Sequence, residues 1–118
     1  MLLETIKSPL LNLYYVASLP QRRQTAERME QECCAPVMTL FYHRVADEHP
    51  NDWTISNERF QEQINWIRER YAIVSLEDAQ QRIGTEHNLE PVVCLTFDDG
   101  YADNCEQALP WLLDQEIP

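Results

Sequence analysis

The chain is 118 residues long, a length suited to one modest domain, and 44% of it is hydrophobic, enough to build a core and exclude wholesale disorder. Twenty acidic residues against 9 basic ones leave a formal net charge of −11, which argues against a nucleic-acid partner and an anionic membrane surface, because both are held by Lys and Arg clusters. Surplus carboxylate is also an ordinary route to solubility.

Residues 1–35 read as an N-terminal helical extension and residues 36–118 as the body of the protein. The N-terminus lacks the pattern of a secretory signal: Glu4 comes early and Pro9 interrupts the apolar stretch. Residues 10–19 fall short of the roughly 20 apolar residues a membrane span requires, so the expectation is a cytoplasmic protein. A polar helix is predicted over residues 21–32, and no chemistry is legible in it. None of the four cysteines forms a C-x-x-C pair, so a structural zinc site is not expected. Cys33 and Cys34 are read as unremarkable thiols. Cys94 lies in an apolar run and Cys105 on an apolar helical stripe, where a free cysteine behaves as a small hydrophobe.

From Pro36 the pattern changes. Val37-Met38-Thr39-Leu40-Phe41-Tyr42 is nearly continuous apolar sequence, as in a strand buried on both faces. Pro50, Asn51 and Asp52 mark turns in the polar loop that follows. Ser56 is a predicted N-cap, and Phe60, Ile64, Ile67 and Tyr71 then recur at helical spacing. Ala72-Ile73-Val74 is a short extended segment. Ser75 and Asp78 form a capping pair for a second helix ending near Gly84. Val92 to Phe97 is the second clear strand, with residues 98–101 as its exit loop and Gly100 as the residue that lets the backbone turn. Asp103 is predicted to cap a last helix that presents Cys105, Ala108, Leu109, Leu112 and Leu113 on one face, kinked or restarted at Pro110.

Strand, helix, strand, helix indicates an α/β fold with parallel strands. Functional residues in such folds gather at the carboxyl ends of strands. Tyr42-His43 and Asp98-Asp99 both fall there. Adjacent carboxylates after a buried strand repel one another unless a cation or a shared proton compensates them. A bare Asp-Asp-Gly is an ordinary turn, but here it sits within the longer string Thr96-Phe97-Asp98-Asp99-Gly100-Tyr101.

That string resembles the first signature motif of the polysaccharide deacetylases, the NodB-homology domain of carbohydrate esterase family 4. Residues 40–45 (Leu-Phe-Tyr-His-Arg-Val) are similar to the family's opening strand, residues 56–63 to its first helix, and residues 108–118 to the helix before its next strand. The resemblance covers residues 36–118. It implies the first strands and helices of a distorted β/α barrel of roughly 200 residues, and a metal-dependent hydrolase that removes N- or O-acetyl groups from carbohydrates. Asp98 is then the candidate general base and Asp99 the candidate metal ligand. The metal would be divalent: zinc, with cobalt or nickel acceptable to the same donors. The family's two histidine ligands lie in a His-x-x-x-His motif, which His43, His49 and His87 do not form. The expectation is therefore a truncated, inactive form of the enzyme.

His43 is the candidate substrate-binding residue, set against a histidine simply hydrogen-bonded in its loop. Tyr101 either borders the cleft or packs beside the turn. Trp66 and Trp111 fall within helices and are expected to pack, while Trp53 lies in the loop. His49 and His87 are expected to face solvent. Two other readings compete. A phosphotransferase using paired aspartates needs an Asp-x-Asp pattern, and here the residue two beyond Asp98 is Gly100. A non-catalytic deacetylase-like module for binding or assembly is the other.

Overall fold

The computed structural model describes the backbone of residues 2–118 and the side chains of residues 9–118. Two helices come first, α1 (Leu2–Ala17) and α2 (Leu19–Gln31). Helix α1 runs through Pro9 without ending there, and its Leu10, Leu11, Leu13, Tyr14 and Val16 are all exposed. Helix α2 has no buried residue. Among the described residues no helix is long and apolar enough to cross a membrane.

The body follows the predicted alternation: β1 (Val37–Tyr42), β2 (Arg44–Val45), β3 (Thr54–Ile55), α3 (Asn57–Arg68), β4 (Ala72–Val74), α4 (Leu76–Gly84), β5 (Val92–Phe97), a π-helical turn (Asn104–Ala108) and α5 (Leu109–Asp114). Ser56 and Ser75 cap α3 and α4 as expected, their hydroxyls accepting from the backbone N–H groups of Arg59 and Asp78. Three strands form a parallel sheet in the order β1-β5-β4, giving the α/β fold as a small open sheet.

Strand β5 is central in the sheet and is its most buried strand. Its alternate side chains supply both faces of the sheet. Val93 joins Val45, Phe60, Ile64, Ile67, Ala108 and Leu112 on the side covered by α3 and α5. Val92 and Cys94 join Val74 and Ala79 on the side covered by α4. Burial pushes the Cys94 thiol pKa up, so it stays protonated, an inert core residue.

Strand β1 departs from expectation. It is an edge strand with Thr39, Leu40 and Phe41 exposed, not a strand buried on both faces. Hydrophobicity alone does not say whether a neighbour is present to cover it. The last helix departs as well: Asn104, Ala108 and Leu112 face the core, while Cys105, Leu109 and Leu113 are exposed. The π-helical turn is the cause. Pro110 has no N–H to give the carbonyl four residues back, and an i→i−5 bond from Leu109 N–H to the Asn104 carbonyl takes up the extra residue. Ala108 and Leu112 stay on the buried face across that turn, and Asn104 takes the place expected of Cys105.

Only two glycines are present, and neither has positive φ. Left-handed caps fall instead to Cys33, Glu86 and Glu116, each just beyond a helix end. At Cys33 the cap is a Schellman motif, with Cys34 N–H donating to the Met29 carbonyl and Cys33 N–H to the Glu30 carbonyl. This accounts structurally for one of the paired cysteines. The joint between α2 and the sheet is held by the buried Asn88, whose Nδ2 donates to the Ala35 and Glu90 carbonyls and whose Oδ1 accepts from Arg82.

Candidate functional site

The register of β1 and β5 brings the two chemical segments together. Tyr42 pairs with Phe97, and Asp98 N–H continues the ladder by donating to the Tyr42 carbonyl at 3.0 Å. The next residues along each strand are then neighbours, and His43 Nδ1 lies 3.1 Å from Asp99 Oδ2. A carboxylate only accepts, so Nδ1 carries the hydrogen in this contact and Nε2 is the nitrogen left for other work. His43 is thus hydrogen-bonded locally, to a residue of the neighbouring strand exit. Asp98 and Asp99 are exposed rather than enclosed, with 53% of the Asp99 side chain open. Water therefore shares in compensating their mutual repulsion.

Three further residues shape the site, of which Asn104 escaped the sequence reading. Asn104 is buried and clamps both strand exits: its Oδ1 accepts from Val45 N–H at 2.9 Å, and its Nδ2 donates to the His43 carbonyl at 2.8 Å. A longer contact of 3.4 Å reaches the Asp99 carbonyl. Arg44 ties the loop to the last helical segment, with Nε donating to Asp103 Oδ2 at 2.6 Å and its two Nη atoms to the His49 and Glu48 carbonyls. Its guanidinium lies 5.6 Å from the Tyr101 ring centre, so Tyr101 packs beside the turn while also lining an open depression of about 290 Å³ with Asp99 and Gly100. Trp53 is the third, its ring centre 4.7 Å from that of His43.

Two expectations fail here. Asp103 makes no side-chain cap bond: its backbone is already helical, at φ −53° and ψ −35°, and its carboxylate accepts from Arg44 instead. Gly100 has neither positive φ nor any atom within 4 Å of where a Cβ would sit, so the turn does not require glycine. His49 and His87 are exposed, as expected. Trp111 packs against Phe60, but Trp66 is 53% exposed beneath the Arg70 guanidinium rather than packed in the core.

The loop that carries Trp53 is anchored by Asp47, which accepts from both the backbone N–H and the side-chain amide of Asn57 at 2.9 Å. These bonds, the side-chain one first, hold the Asp47 carboxyl below its ordinary range. A depressed folded-state pKa contributes stability that is present above the unfolded-state pKa and is lost as pH falls through the folded-state one. Acidification below the ordinary carboxylate range should therefore lower the urea midpoint of the wild type more than that of Asp47→Ala. Parallel curves for the two proteins would rule out the anchor.

The donors present do not complete a metal centre. Asp99 and His43 supply two at most, and they face each other, whereas a catalytic zinc ordinarily has three protein ligands. Among the described residues no group of three or more His, Cys, Asp or Glu side chains is placed to hold a metal ion. A cavity of about 550 Å³ lies away from these carboxylates, between the exposed edge of β1 and Trp66 and Ile67 of α3. Its almost wholly apolar lining marks an uncovered face of the fold rather than a place for chemistry. Compared with protein-family models, curated proteins and solved structures, the chain gives no match.

Proposed function

We propose that the chain carries the general base and one metal ligand of a carbohydrate deacetylase of the polysaccharide-deacetylase type, acting on N- or O-acetylated sugars. The observation that carries this reading is the convergence of His43, Asp98 and Asp99 at the carboxyl ends of two adjacent parallel strands, within the string that resembles the family motif. Asp98 takes a proton from water as its oxygen adds to the acetyl carbon. The bond from that carbon to the sugar nitrogen or oxygen then breaks, acetate departs, and the sugar atom recovers a proton. Asp99 is one ligand to a divalent ion, zinc or its cobalt or nickel equivalent, whose other ligands come from outside the described residues. His43 contacts the substrate from the side of Nε2. The open edges of the sheet, β1 and β4, are where further strands of a barrel would add.

A second reading rests on the incomplete ligand set: the chain is a non-catalytic module that binds acetylated sugar with the same face. Acetate release from tri-N-acetylchitotriose, with zinc and a segment that supplies the missing histidine ligands both added to the chain, separates the two. In the first reading Asp98→Asn lowers release by about 10²–10⁴-fold. Near-normal release from that variant would exclude Asp98 as the base. Saccharide binding by the wild type without any acetate release would establish the second reading.

A further inference from the structure

We propose that Trp53 is a stacking platform for one ring of the sugar chain, and that it selects neutral acetylated pyranose polymers over those carrying uronate or sulfate groups. This rests on the deacetylase reading for what happens at the neighbouring carboxylates, but not for the binding itself.

Trp53 is 65% exposed, yet its backbone is held firmly. Its N–H donates to Asn51 Oδ1 at 2.9 Å, the same oxygen accepts from the Thr54 hydroxyl at 2.9 Å, and Thr54 N–H donates to the Asn51 carbonyl at 3.1 Å. Thr54 and Ile55 then pair with Arg44 and Val45, the residues immediately after His43. The loop is thus pinned on both sides of the indole, and the edge-to-face contact with His43, at an interplanar angle of 63°, sets the plane of the ring. An aromatic group kept open to water at fixed orientation offers contact area with little ordering left to lose on binding.

The other two tryptophans are occupied. Arg70 lies 4.2 Å from the centre of the Trp66 ring, and Trp111 packs on Phe60. Trp53 alone among them adjoins the carboxylates. Its ring and the Asp99 oxygen both touch the same imidazole, so a sugar unit stacked on the indole leaves its neighbour beside Asp98 and Asp99. The apolar C–H face of a pyranose fits a flat indole, and its hydroxyls remain in water. Charge supplies the selection: exposed Asp98 and Asp99, on a chain of net charge −11, repel a polyanion.

The test uses the full ¹⁵N-labelled chain, titrated with tri-N-acetylchitotriose and separately with a hyaluronan oligosaccharide of similar length. The three indole N–H signals are assigned with Trp53→Phe. The chitotriose should shift the Trp53 signal saturably and leave those of Trp66 and Trp111 in place. Trp53→Ala should weaken binding about tenfold, with Trp53→Phe recovering most of it and neither variant changing the unfolding midpoint. Hyaluronan should bind more weakly. A saccharide that moves the backbone signals of residues 98–101 but not the Trp53 indole overturns the platform and leaves the deacetylase reading standing. One that moves nothing overturns the platform as well. Equal binding of hyaluronan overturns the charge selection. A responding Trp53 in a wild type that releases no acetate under the conditions given above keeps the platform and removes the deacetylase reading.

Discussion

Phe60→Ala should destabilise the protein by about 3–5 kcal/mol, the range for a buried aromatic truncated in a core that collapses only partly. Phe60 is 1% exposed and is the hub of an aromatic cluster. The Tyr42 ring meets it edge-on at 4.9 Å, and Trp111 and Phe97 lie at 6.0 and 6.1 Å. Such pairs add about 0.5–1.5 kcal/mol to the area term. A small domain commonly has about 5–15 kcal/mol in total, and this one leaves both edges of its sheet unpaired. The substitution should therefore remove most of the cooperative urea transition. Phe60→Leu, closer in volume, should cost markedly less. A midpoint shift in Phe60→Ala worth under about 1 kcal/mol would mean that the cluster is not the keystone described. The effect should reach the site, because Tyr42 and Phe97 immediately precede His43 and Asp98 in the paired register.

The parts of this fold that follow from local rules were legible in the chain. Phe60, Ile64 and Ile67 recur at helical spacing and are the buried residues of α3, and the two serine caps act as read. Convergence of residues 43 and 99 also followed, since parallel strands present their carboxyl ends on one side. What escaped depends on a partner distant in sequence. The exposure of β1 depends on whether another strand lies beside it. Asp103 falls inside the helical stretch and its carboxylate meets Arg44, which is 59 residues away. Asn104 looked like any polar residue near a helix start, and only its three backbone contacts from two loops show its weight. The sole signal that could have found it is a polar residue in step with Ala108 and Leu112 on the apolar face. An amide in that phase must be bonded or costly.

Asn104→Ala should cost roughly 2–4 kcal/mol and also disturb the site. The residue satisfies one backbone donor and one backbone acceptor: Val45 N–H, in a residue fully buried, and the His43 carbonyl. Its amide orientation is fixed by that pairing, since only the oxygen can accept from Val45 and only the nitrogen can donate to His43. Truncation strands both groups in a region with little water, which costs more than the bonds themselves contribute. Asn104→Asp keeps the acceptor for Val45 but turns a carboxylate oxygen toward the His43 carbonyl, so it should be no better than alanine. Asn88→Ala is the matched control. Asn88 is a buried amide of similar bonding that serves the joint between α2 and the sheet. Both alanine variants should lower the urea midpoint, but only Asn104→Ala should shift the His43 ring and Asp99 backbone signals at low denaturant. If the two variants perturb those signals equally, Asn104 stabilises the fold without holding the two strand exits together. The contact between His43 and Asp99 would then have to be maintained by the β1–β5 ladder alone.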